Sequence, residues 1–140
     1  ISFACAACGL IDLKTQRMRL TSAGGPPPIF CRTDGSLELL PLPTGLPFGV
    51  TEDFDYEATT VSIAPGESYL FVTDGAFEID DARQKQLGIE GLVEILKTLD
   101  YPAMPLDMHR LVEKLLRYSN EIRLPDDLTI LEIIHNNTKA

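Results

Sequence analysis

The chain has 140 residues, 44% of them hydrophobic, enough for one domain with its own core. Acidic residues outnumber basic ones 21 to 12, and the net charge of −9 repels phosphate backbones and anionic lipid, which sets aside nucleic acid and membrane surfaces as partners. Three cysteines, an odd number, fit free thiols in a reducing compartment, no apolar run approaches the ~18 residues of a membrane span, and a cytoplasmic protein is expected.

The opening ISFACAACGLI is apolar, but no basic segment precedes it and Asp12 and Lys14 follow at once. It therefore reads as a strand rather than the core of a signal peptide. A start on Ile1 leading straight into a strand suggests the later part of a longer polypeptide. Residues 3 to 13 and 17 to 23 alternate with a period of two and predict a hairpin around LKTQR. GGPPP at 24 to 28 must be a turn or loop, because proline cannot continue a ladder. IFCRT and LELLP flank Asp34-Gly35, a strong short hairpin signal. PLPTGLPFG at 41 to 49 is a second rigid loop. YEATTVSIAP reads as a strand closed by Pro65-Gly66, and YLFVT follows as the next.

Helical periodicity begins after residue 87, where Ile89, Leu92, Val93, Leu96 and Leu99 recur at helical spacing. Met108, Leu111, Val112 and Leu115 repeat it, with Pro105 suited to the first turn. The β-branched run DDLTILEII predicts a last strand. Strands, then two helices, then a returning strand make a single α+β domain over residues 1 to 140. It should be built of mainly antiparallel sheet layers, with two helices packed on one face.

Residues 69 to 73 and 128 to 134 are apolar on both faces, as central strands are. Paired antiparallel, the commoner arrangement, they would bring Asp74 and the Asp126-Asp127 pair to one edge of the sheet. Clustered carboxylates repel unless a cation lies between them. Hard oxygen donors select Mg²⁺, Mn²⁺ or Ca²⁺, and Mg²⁺ typically takes one or two protein carboxylates plus waters. A simple Asp-Gly turn, and an aspartate leading a strand after Pro125, explain the same residues without an ion. The pattern alone leaves both readings open.

Four stretches in order, AGGPPP at 23 to 28, GLPFG at 45 to 49, LFVTDGAFE at 70 to 78 and PDDLTILEI at 125 to 133, together resemble metal-dependent protein serine/threonine phosphatases. The resemblance is to the sporulation-phosphatase (SpoIIE) branch of the type 2C, or PPM, family, and it spans almost the whole chain. It implies part of an αββα sandwich with two Mn²⁺ or Mg²⁺ ions at one edge. A metal-activated water then attacks phosphoserine or phosphothreonine without a phosphoenzyme. By resemblance, Asp74 and Asp126 match the later metal-binding aspartates, with Gly75 and Asp127 at the edge of the site. Asp127 stands where eukaryotic members usually carry Asn.

Two departures follow. The family's early Gly-Asp and Asp-x-Ser/Thr-Gly-His-Gly motifs, which supply bridging ligands, do not occur, so the chain reads as the C-terminal portion of the domain. Gly25 stands where relatives usually carry His. The resemblance implies hydrolysis of a phosphorylated signalling protein, of the class of an anti-sigma-factor antagonist, in bacterial sigma-factor or stress regulation. The alternative is a non-catalytic phosphatase-like module that binds a regulatory protein. The segment alone is expected to be inactive, to bind divalent ions weakly, and to form a homodimer through unpaired sheet edges.

The remaining features carry less. Cys5 and Cys8 form a lone C-x-x-C and are expected to be buried small side chains rather than zinc ligands. His109 and His135 lack a Ser or Cys partner. Gly24-Gly25 lacks the helix and Lys of a phosphate loop, and Glu78, Asp80 and Asp81 read as a solvated face.

Overall fold

Arg17–Ala23 alternates outward-facing Arg17 and Arg19 with buried Met18, Leu20 and Ser22, the two-residue period of a half-buried strand. In the computed structural model, which describes residues 2–136, this strand (β2) pairs antiparallel with β1 (Ala6–Asp12). On its other side it pairs with β6 (Thr59–Ser62), also antiparallel. At its end it pairs in parallel with β5 (Thr44–Gly45). The β1–β2 hairpin is the one the alternation predicts. The short parallel β5 inside the proline-rich loop is not.

The second sheet runs β4 (Leu37–Leu39), β3 (Ile29–Cys31), β7 (Ser68–Val72), β8 (Ile130–Ile134), antiparallel throughout. The β3–β4 turn closes at Asp34-Gly35 as expected, with the Ser36 amide donating to the Asp34 carboxylate at 2.8 Å. The strand after Pro125 starts at Ile130 rather than at Asp126, so residues 126–129 form irregular backbone. Nor is β8 central. Among the described residues its one strand neighbour is β7, and Leu131 and Ile134 stay exposed.

β3 and β7 are buried on both faces because two layers use them. Ile29, Cys31, Leu70 and Val72 pack with Leu92, Val93 and Leu96 of α1 (Gly88–Lys97) and Leu111 and Leu115 of α2 (Met108–Ser119). Phe30 and Tyr69 point the other way, onto Met18 and Leu20 of the first sheet. Each such large side chain, fully buried, stabilises the fold by roughly 1.5–3 kcal/mol. The architecture is therefore α+β, two sheets face to face with both helices on one outer face. Pro105 lies outside the second helix. Asp107 caps it instead, accepting from the Arg110 amide at 3.1 Å, and Asn120 ends it in the left-handed conformation.

Two buried polar clusters tie the layers together. The carboxylate of Glu67 pairs with Arg32 at 3.2 Å, accepts the Tyr69 hydroxyl at 3.0 Å and accepts the Ala64 amide at 3.0 Å. Tyr101, between the helices, donates to Glu132 on β8 at 2.8 Å. Its oxygen also lies 3.0 Å from Ser68 Oγ and 3.3 Å from Cys31 Sγ. Burial, ahead of any hydrogen bond, raises the Tyr101 phenol above its usual range.

Cys5 and Cys8, expected in the core, are exposed, and Cys31 is the buried thiol. Cys8 pairs with Thr21 across the hairpin. It lies on the face of β1 that also carries exposed Leu10, turned away from Met18 and Leu20.

Candidate metal centre

Regular pairing of β7 with β8 ends at Val72 opposite Ile130. Thr73 and Asp74 follow one strand, and Thr129 to Asp126 precede the other, so the antiparallel register delivers both aspartates to the same edge. Asp74 opens a single 3₁₀ turn (Asp74–Ala76). Its backbone carbonyl accepts the amides of Phe77 at 2.9 Å and Glu78 at 2.8 Å, and its Oδ1 accepts the Gly75 amide at 2.9 Å. That turn is anchored by buried Ala76 and Ile79, so the carboxylate projects from a fixed base.

Asp126 Oδ1 accepts the Asp127 amide at 2.7 Å. In both aspartates one carboxylate oxygen is engaged by the following amide. Both side chains are exposed at the rim, as Asp127 is.

Gly75 brings the two segments into contact. It is buried, and a Cβ there would overlap the Asp127 carbonyl oxygen and sit 3.3 Å from that of Asp126. Only glycine permits this approach of backbone to backbone. Asp127 meets its neighbours through its main chain, since its carbonyl also faces the Thr73 hydroxyl at 3.2 Å. The sequence-predicted residues Asp74, Gly75, Asp126 and Asp127 thus share one edge.

Sequence reasoning passed over Thr73, whose hydroxyl accepts the Thr129 amide at 2.9 Å. A hydroxyl residue at the last position of an apolar strand, just before Asp-Gly, was the available signal. Gly25 lies elsewhere, against Ala6 and Ser22 in the first sheet, where a Cβ would meet Ala6 O and Ser22 Oγ at 3.3 Å.

Two hard carboxylate donors at one rim, set by a glycine contact that a Cβ would fill, fit part of a divalent-ion site. They do not make a two-ion cage. Among the described residues no group of three or more His, Cys, Asp or Glu side chains converges as a metal site. A groove of about 780 Å³, lined by Cys31, Ser68, Tyr101 and Glu132, lies at the other end of β7 and away from these aspartates.

The sequence profile described as Stage II sporulation protein E (SpoIIE) matches residues 2–136. The chain belongs to the SpoIIE family. A search of curated proteins returns no significant match. Among solved structures, the chain is similar to the RsbU and RsbW domains of Rv1364c from Mycobacterium tuberculosis (22% identity, 96% of this chain and 36% of that one, TM-score 0.70). It is similar also to the SiaA-PP2C domain of Pseudomonas aeruginosa (21%, 93% and 51%, TM-score 0.71). A third is the phosphatase domain of the cell fate determinant SpoIIE from Bacillus subtilis (16%, 97% and 58%, TM-score 0.65). At these identities the likeness establishes a shared fold, that of the SpoIIE-like PPM phosphatase domains. The chain spans between about a third and three fifths of the length of those chains. No helix among the described residues is long and apolar enough to cross a membrane.

Proposed function

We propose that this chain supplies Asp74 and Asp126 to the metal site of a SpoIIE-type protein phosphatase that hydrolyses phosphoserine or phosphothreonine on a signalling protein. One observation carries the reading. The β7–β8 register and the Gly75 contact converge two rim aspartates at the end of a buried strand. Membership of the SpoIIE family supports the choice of reaction.

Mn²⁺ or Mg²⁺, two ions in the complete domain, would supply Lewis acidity that makes water nucleophilic near neutral pH and neutralises phosphoryl oxygens. The chain's own part is to hold and orient. Asp74 and Asp126 each keep a carboxylate oxygen fixed by a neighbouring amide, which sets the direction of the other. Gly75 lets the two segments approach closely, and the Asp127 carbonyl faces the Thr73 hydroxyl. The proposed substrate, on the family likeness, is a phosphorylated regulator of the anti-sigma-factor-antagonist class. A phosphoprotein presents its ester on a flexible polar segment, which suits an exposed rim rather than a closed pocket.

The test is Asp74→Asn and Asp126→Asn in the protein that carries this chain, assayed for Mn²⁺-dependent phosphate release from a phosphoprotein. Each should lose activity by a factor reflecting several kcal/mol of barrier, with the fold intact by circular dichroism. Activity of either variant within about threefold of wild type, roughly 0.7 kcal/mol, overturns the proposal. Phosphoprotein binding with no turnover in the unmutated protein would favour the non-catalytic module.

A further inference from the structure

Beyond Val72 and Ile130 the ladder gives way to one residue. The Thr73 amide donates to the Thr129 carbonyl at 3.0 Å, while the Thr73 hydroxyl accepts the Thr129 amide at 2.9 Å. The same hydroxyl faces the carbonyls of Asp127 at 3.2 Å and Thr129 at 3.4 Å. Thr129 is therefore held at both its N–H and its C=O by Thr73.

Apolar burial does only part of this work: Thr73, Asp126, Asp127 and Thr129 are all exposed, and Leu128 alone of residues 126–129 packs, half-buried, against the helix-side core. Regular structure does not do the rest, since residues 125–129 belong to no helix or strand. The position of Asp126 relative to Asp74 thus depends on the Thr73 clasp and the Gly75 contact, with the Leu128 side chain as the one apolar anchor between them.

We propose that Thr73 is a positioning residue for the metal site: its hydroxyl fixes residues 126–129 so that Asp126 stands where an ion shared with Asp74 requires it. The inference rests on the reading of those two aspartates as ligands. Mg²⁺ demands near-ideal geometry and dehydrates reluctantly, so a ligand on a loose segment binds it at the cost of ordering that segment. The clasp orders it beforehand. Threonine suits the task, because β-branching restricts χ1 and keeps the hydroxyl aimed at its neighbour. Thr73 itself does not touch the ion.

Thr73→Val keeps the shape and branching and deletes the hydroxyl. Calorimetric titration of the metal-free protein with Mn²⁺ should show affinity weakened roughly 10–100-fold, the usual effect of removing a group that orients a ligand. Thr73→Ser should restore it to within about threefold. A merely structural role would lower the melting temperature of both variants without moving Mn²⁺ affinity.

Asp74→Asn, run in parallel, separates the two claims. Loss of Mn²⁺ binding in Asp74→Asn with Thr73→Val within about twofold of wild type overturns the positioning role and leaves the ligand reading intact. Both variants binding like wild type overturns the two together. Should Thr73→Val fail to fold, hydrogen exchange in the wild type decides instead. The Thr129 amide must be protected in the metal-free protein, and exchange at the unprotected rate overturns the clasp.

Discussion

Gly75 abuts the backbone of Asp127 so closely that a single methyl group at position 75 would overlap the Asp127 carbonyl oxygen. An alanine there must push residues 126–129 outward or distort the 3₁₀ turn, and either movement separates Asp74 from Asp126. Overpacking of this kind costs about 1–3 kcal/mol. Gly75→Ala should therefore weaken Mn²⁺ binding and phosphate release by roughly tenfold or more while helix content stays constant. Calorimetry beside circular dichroism reads both. Wild-type affinity in this variant would mean that the two segments separate without consequence.

Asp127 offers the contrast. Its amide donates to Asp126, and its carbonyl faces Thr73 and Gly75. Asp127→Asn preserves all of these, so activity should stay within about threefold of wild type. A loss comparable to that of Asp126→Asn would move the ligand one residue along the chain.

The thiols divide by burial. Cys5 and Cys8 are exposed, while Cys31 is buried, and loss of hydration raises the Cys31 thiol above its ordinary pKa. Since the thiolate is the reactive form, pH 8 labelling should proceed at two cysteines and spare the third until denaturant is added. Quantitative thiol titration with and without denaturant checks this, and three equally fast thiols would contradict the packing around Tyr101.

Glu67 is 6% exposed and serves Arg32, Tyr69 and the Ala64 amide together. Glu67→Ala strands the buried Tyr69 hydroxyl and takes a partner from the half-buried Arg32 side chain and Ala64 amide. Each buried group left without a partner costs about 1–3 kcal/mol, so the urea midpoint should fall well below that of wild type. Arg32 keeps Glu38 at 2.9 Å, which limits the loss. An unchanged midpoint would show that water replaces the carboxylate without penalty.

The side of β8 away from β7 bears on self-association. Among the described residues β8 has β7 as its one strand neighbour, and Leu131 and Ile134 are exposed on it. Residues 1–140 in isolation should dimerise through this edge, as exposed strands tend to pair. Leu131→Lys should shift the equilibrium to monomer in sedimentation experiments, and a monomeric wild-type segment would remove the edge from consideration.

Much of this was legible from local pattern. The β1–β2 hairpin, the Asp34-Gly35 turn and both helices follow from periodicity and turn chemistry, and the antiparallel pairing of the strand before Asp74 with the strand after Asp126 follows from the commoner strand arrangement. What escaped depends on distant partners. Cys8 looks like a core residue in an apolar run, yet which face of β1 is covered is not decided by the run itself, and Cys5 lies before the strand begins. Pro105 fits a helix start, but Asp107 makes a better one because its carboxylate accepts an amide that proline's ring cannot satisfy. β8 is apolar but for Glu132, and its place in the sheet depends on pairings that its sequence does not encode. Thr73 was hidden for another reason: a hydroxyl bridging two strand ends leaves no periodic trace.

The alternation of Phe30 and Tyr69 against Ile29, Cys31, Leu70 and Val72 makes one thin sheet the shared wall of two hydrophobic compartments. Neither compartment can come apart and leave the other closed, because each would lose the same strands. The molecule should then melt in a single transition, with sandwich and helices reporting one midpoint. Asp74 is mounted where that wall ends, so its base is tied to strands that both compartments share.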